Sequence, residues 1–385
     1  MNGEYPNSVP QESSGRIFIR FLKFGLLAWG GPVAQIAMIR QELVDEEHWI
    51  SNDRFNRVLA VYQVLPGPEA HELCVYFGLL AGGRIGAILA GLGFMLPGFV
   101  LMLALSWFYV TYGITSALFA AVFYGFQASI GALIVRAVHR IGEHALYNPW
   151  LWGIAILSAI AKFLNVNFLI ALTLGGLMYA IIRRQLNPSS LNMLFVPLMG
   201  MSAALTLSAP SVLELFGYGL RTGLLTFGGA YTAIPFLQQD AVVTGAWMTN
   251  QQFLDGLALS SILPAPLIIF STFVGYLGNG ALGALMITLG VFLPAFAFTL
   301  IGHQFFERLV DNKQIHTFLD GVTAAVVGLI AATAVQLLFV ALPDIPAAII
   351  FILSLIVLYK WKAKAAVAGI VLGAGLLGVL VKTLG

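Results

Sequence analysis

Charged residues make up only 9% of the 385-residue chain, against 59% hydrophobic ones. A soluble globule needs more polar surface than that, so the composition excludes one and defines an integral membrane protein. The ten-residue alternation of an outer-membrane barrel is also missing, which leaves an all-α polytopic fold. A single cysteine, Cys74, excludes an internal disulfide, and no Cys or His pairs stand at metal-ligand spacing. No metal, cofactor or nucleic-acid partner is therefore expected. Residues 1–15 lack a basic-then-apolar pattern and read as a polar tail, not a cleavable signal. The net charge of +2 carries little, because in a membrane protein the side on which charges lie matters more than their sum.

What the chain has is a helix-breaking run, Leu65-Pro66-Gly67-Pro68-Glu69, inside sequence apolar enough to be one continuous helix. Broken backbone at membrane depth is tolerated only where it is buried in protein or lines a cavity, so the run marks either a site or a simple kink. It returns as Pro264-Ala265-Pro266, at an offset of 198 residues. At that offset Gly30-Gly31 falls on Gly228-Gly229, Trp49 on Trp247 and Phe55 on Phe253, and after a one-residue deletion Leu96-Pro97 falls on Leu293-Pro294. Matches concentrated on Gly, Pro and Trp do not arise from apolar composition, and they define two repeats. The expected division is 16–184 for the first repeat, 185–210 for a linker with an inverting transmembrane helix, and 211–385 for the second repeat.

Lys and Arg orient the halves. If the opening segments of the first repeat span, Arg40, Arg54 and Arg57 lie opposite Arg84, Arg136, Arg140, Arg183 and Arg184. If they are re-entrant hairpins turning at Gly30-Gly31-Pro32 and at Pro66-Gly67-Pro68, all fall on one side. Residues 238–252 hold no Lys or Arg, as an outside loop should. The reading is two inverted-topology repeats, each starting with two re-entrant helical hairpins, with Lys162, Arg221 and Lys382 left outside.

Half-helices that end at the midplane present unpaired N–H groups and the positive end of the helix dipole, which favour an anion. The candidate binding residues are thus Gly30, Gly31, Pro32, Pro66, Gly67 and Pro68 in the first repeat, and Gly228, Gly229, Pro264 and Pro266 in the second. Close packing is the competing role of such glycines. Lys23 and Arg221 stand seven residues before the matched glycine pairs and add a cation to each half, with snorkelling as the alternative. Glu69 offers proton coupling or charge pairing, and Gln35 and Tyr231 offer hydrogen bonds. His71-Glu72 begins H-E-x-x-H, but Val75 stands where the second histidine is required. The other histidines, His144 and His316 among them, read as solvated loop residues. Trp49, Trp107, Trp150, Trp152 and Trp361 read as interfacial anchors. No nucleophile with a base, and no facing aspartate pair, converges as an enzyme would require.

With Lys23-Phe24-Gly25, Trp29-Gly30-Gly31-Pro32, Trp49-Ile50-Ser51, Leu65-Pro66-Gly67-Pro68-Glu69-Ala70, Leu96-Pro97 and Phe227-Gly228-Gly229-Ala230-Tyr231, the chain resembles a two-domain member of the chromate ion transporter family. The resemblance runs from Arg16 onward. Trp29, Ala230 and Ala265 depart from the family pattern, which has Phe, Gly and Gly there. The resemblance implies a multi-pass protein of the bacterial cytoplasmic (inner) membrane that exports chromate, a tetrahedral dianion, with chromate resistance as the outcome. Its implied partners are chromate, the lipid bilayer and a second copy in a homodimer. A sulfate or other oxyanion permease, or a channel, is the alternative.

Overall fold

A computed structural model of the chain describes residues 9–113, 116–183, 209–227, 229–310, 313–361, 363 and 365–384, apart from the side chains of residues 64, 302–310, 313 and 384. The expected inverting helix and Gly228 lie outside these residues. Among the described residues the fold is all helical. Five stretches are long and apolar enough to cross a membrane: Glu69–Gly113, Ala117–Ala145, Leu267–Ile301, Gln314–Ala341 and Ala366–Thr383.

The first repeat opens with three short helices, α1 (Ser14–Leu26), α2 (Gly31–Arg40) and α3 (Asn52–Val64). α1 stops before Gly30 and Gly31, whose φ values of 90° and 78° admit few other residues, and Pro32 then starts α2. Ser51 caps α3 by accepting from the Arg54 N–H. The Pro66-Gly67-Pro68 run then breaks the chain, with Gly67 at φ 151°, before α4 (Glu69–Phe108) begins. Non-helical backbone at Gly82-Gly83 divides α4 into a short arm and a long one. α5 (Ala117–Ala145), α6 (Pro149–Phe163) and α7 (Phe168–Ile182) complete the repeat.

The second repeat follows the same order. It comprises α8 (Val212–Leu225), a one-turn helix α9 (Ile234–Gln238), α10 (Asn250–Ser261), α11 (Phe270–Val310), α12 (Lys313–Ala341), α13 (Ile345–Lys360) and α14 (Ala366–Leu384). Even the π-helical turn Gln41–Glu46 has its match, at Gln239–Thr244. Packing repeats too. A Cβ on Gly25 would collide with the Phe94 carbonyl where α1 crosses α4, and one on Gly223 would collide with the Val291 carbonyl where α8 crosses α11.

The repeats interlock at their broken turns. The Gly67 N–H donates to the Thr226 carbonyl at 2.9 Å. Gly67 packs toward the Ala295 Cβ, and Gly98 lies against the Ala265 Cβ, so each contact pairs one glycine with one alanine. Ala265, a departure in the sequence, is thereby accommodated. One expectation is corrected: Trp49 is not an interfacial anchor. It is 3% exposed, lies under the Arg20 guanidinium and donates to Glu47, whereas Trp107, Trp150, Trp152 and Trp361 are exposed. Its burial follows from packing edge-on against Phe77 in the first-repeat core.

Candidate functional site

A cavity of about 830 Å³ lies where the broken turns of the two repeats approach each other. Three chain breaks line it: Gly30-Gly31-Pro32 at the start of α2, Glu69 at the start of α4, and Gly229 with Tyr231 in the second repeat. One face of α5 forms a wall through Arg136, Arg140 and His144, spaced four residues apart so that they stack along the helix. α12 faces it with His316, Asp320 and Thr323.

Arg136 and Arg140 are the cations of this cavity. Among the described residues no carboxylate lies within ion-pair distance of either. Their charge is felt at the Tyr231 hydroxyl, and that of Arg140 also at Glu69. Asp320 is engaged elsewhere, accepting from the Tyr147 hydroxyl at 2.9 Å, and Tyr147 also meets the Tyr179 hydroxyl at 3.1 Å. Two guanidinium groups near two helix starts suit a dianion. At about 4 Å and an effective dielectric near 20, each charge pair contributes roughly 4 kcal/mol, enough to offset part of the dehydration of a multiply charged oxyanion.

The remaining sequence candidates stand outside the cavity. Lys23 is 62% exposed at its side chain and reaches Glu42 at 3.7 Å. Arg221 is buried, ion-paired with Asp240 and stacked on Phe168 and Tyr218. Glu42 and Asp240 are separated by the same 198 residues as Lys23 and Arg221, so each cation joins the first helix of its repeat to the matching π-helical turn. Gln35, 1% exposed, donates to the Ala28 carbonyl at 2.9 Å and fastens the turn. Pro66, Gly67, Pro68, Pro264 and Pro266 form the interlocked turns, and Gly228 is not described. Gly30, Gly31, Pro32, Glu69, Gly229 and Tyr231 are the candidates that the fold brings together.

From sequence, Arg136 and Arg140 read only as charges that orient the first repeat, because cations at the end of an apolar run look like cytoplasmic flanks, whereas the helix continues to Ala145. Their spacing on a helix, with His144 one turn further, was the available signal. His144 and His316, expected in or beside loops and solvated, are exposed on α5 and α12 and line the cavity.

Broken helices meeting at a cationic cavity, inside a bundle with several membrane-length helices, are the construction of an ion transporter. The comparisons with known proteins define which kind. The profile of the chromate transporter family matches residues 15–181 and again 213–379, and the chain belongs to that family. It is 55% identical to a chromate transport protein of Pseudomonas aeruginosa, covering 98% of this chain and 93% of that one. A probable chromate transport protein of Synechococcus elongatus is 32% identical, over 94% of this chain and 93% of its own length. A chromate transport protein of Cupriavidus metallidurans is 30% identical, over 97% and 94%. No solved structure matches the chain. This is a family of transporters, not of enzymes.

Proposed function

We infer that the chain exports chromate from the bacterial cytoplasm across the inner membrane, and that Arg136 and Arg140 receive the dianion against the broken turns. The observation that carries this is the placement, beside chain breaks from both repeats, of two arginines that have no carboxylate partner among the described residues. The names of the Pseudomonas and Cupriavidus relatives support chromate as the anion.

The re-entrant, inverted topology belongs to the same reading. α1, α2 and α3 have 13, 10 and 13 residues. At 1.5 Å rise these lengths reach about 15 to 20 Å, short of the roughly 30 Å hydrocarbon core. Such helices suit arms that enter and return. An inverting helix within 185–210 would then start the second repeat from the outer face. The cavity opens toward the end of α5 that carries Arg140 and His144, the cytoplasmic end by the positive-inside rule.

Export needs no coupling ion. An interior-negative potential of 100 mV favours outward movement by about 2.3 kcal/mol per charge, or roughly 4.6 kcal/mol for a dianion. The test uses inverted membrane vesicles with an interior-positive potential. Chromate should accumulate, the accumulation should collapse with valinomycin and potassium, and excess sulfate should compete. Accumulation indifferent to the potential overturns the electrogenic mechanism, and sulfate accumulation without chromate transport reassigns the substrate.

A further inference from the structure

The two repeats share a sequence pattern but not a setting. Along α3, Asn56, Arg57 and Ala60 are exposed, whereas their counterparts on α10, Leu254, Asp255 and Ala258, are buried. α10 packs along α5, while α3 makes no comparable contact with α12, which occupies the place of α5 in the second repeat. The cavity occupies that gap, with Gln63 of α3 and Asp320 of α12 in its wall.

Asp255 holds the packed side together. It is 4% exposed and accepts from the Tyr109 hydroxyl at 2.7 Å and from the Gln127 side-chain amide at 2.8 Å. Tyr109 stands in the π-helical turn that follows α4, and Gln127 stands on α5. One buried carboxylate therefore ties α10 to two other elements. Among the described residues Arg57, its counterpart, has no hydrogen-bond or ion-pair partner. The difference is thermodynamic as well as geometric. A buried carboxylate depends on its donors, whereas one facing water does not, so removing the donors penalises the closed setting and spares an open one.

We propose that Asp255, held by Tyr109 and Gln127, is the latch that closes the cavity at the end opposite its opening, and that the transport cycle exchanges the settings of the two hairpins. In the exchanged state α10 leaves α5 and exposes Asp255 and Ala258, while α3 closes on α12 and covers Ala60 and Arg57. An inverted repeat makes that state accessible, because the two halves share the helix breaks that set α3 and α10, while Arg57 in place of Asp255 leaves the exchanged closure without this latch.

This rests on the reading of the cavity as the carrier site, and its test needs no chromate. Single cysteines replace Ala60 and Ala258 in a Cys74→Ala background, and right-side-out and inverted vesicles are treated with an impermeant maleimide. With the latch intact, Ala60→Cys should label from the side of the cavity opening and Ala258→Cys should be protected from the other. Tyr109→Phe, and more strongly Tyr109→Phe with Gln127→Leu, should raise Ala258→Cys labelling by about tenfold, the factor that about 1.4 kcal/mol produces. Labelling at Ala60→Cys should fall in the same proteins. Unchanged labelling at Ala258→Cys, or a rise at both positions, overturns the latch, the second because it reports loosening and not exchange. A protein that shows the reciprocal change but carries no chromate keeps the latch and loses the substrate, and a chromate carrier whose labelling does not move loses the latch alone.

Discussion

Arg221 and Asp240 pair inside the protein, each side chain less than a tenth exposed, and tie α8 to the π-helical turn after α9. Lys23 and Glu42 repeat the pairing at the protein surface. The same contact should therefore differ in weight between the halves. Arg221→Ala leaves Asp240 buried without its partner, a loss of about 3 to 5 kcal/mol, whereas Lys23→Ala should cost no more than about 1 kcal/mol. Thermal unfolding in detergent reads the difference. Equal destabilisation by the two substitutions would show that burial does not set the strength of these pairs.

Transport should follow the arginines of α5. Arg136→Gln and Arg140→Gln are expected to insert normally and to lose chromate accumulation by about a hundredfold, which corresponds to roughly 2.7 kcal/mol. Arg→Lys at either position should recover part of the rate, because charge returns without the planar fork. Lys23→Ala should retain transport. Wild-type accumulation in both Gln variants would move the anion site elsewhere in the cavity.

The contact between Gly98 and Ala265 gives a compensating pair. A Cβ at Gly98 would stand 2.6 Å from the Ala265 Cβ, which requires α4 and the Pro264-Ala265-Pro266 turn to part. Gly98→Ala should destabilise by about 1 to 3 kcal/mol, the range for overpacking a filled core. Adding Ala265→Gly should restore most of the lost stability. No recovery in the double variant would mean that the strain falls on other neighbours.

Topology can be read from a matched pair of exposed positions. Asp53 and Gln251 lie one repeat apart, each near the start of its helix. Cysteines introduced there should react with impermeant maleimide from opposite faces of the membrane. Reaction from the same face would exclude the inverted arrangement.

Much of the fold was legible because its signals are steric. Proline and glycine at 30–32 and 66–68 stop helices whatever surrounds them, and the breaks fall there. The site was legible only in part. Gly30, Gly31, Glu69 and Tyr231 are marked by local backbone chemistry, but the place of Arg136 and Arg140 in the cavity depends on how α5 packs against the broken turns, which hydropathy does not report. Lys23 and Arg221 stand as matched cations. Their partners, Glu42 and Asp240, were matched just as well, and the four residues together describe a brace.

The alternation of glycine and alanine at the interlocked turns also bears on ancestry. Gly67 meets Ala295 and Ala265 meets Gly98, while Gly67 aligns with Ala265 and Gly98 with Ala295. Two copies of the first half would set glycine against glycine, and two copies of the second would set alanine against alanine, with a clash at the position of Gly98. The halves are therefore unlike partners at this seam, and the Gly98 position admits the first half's glycine but not the second half's alanine.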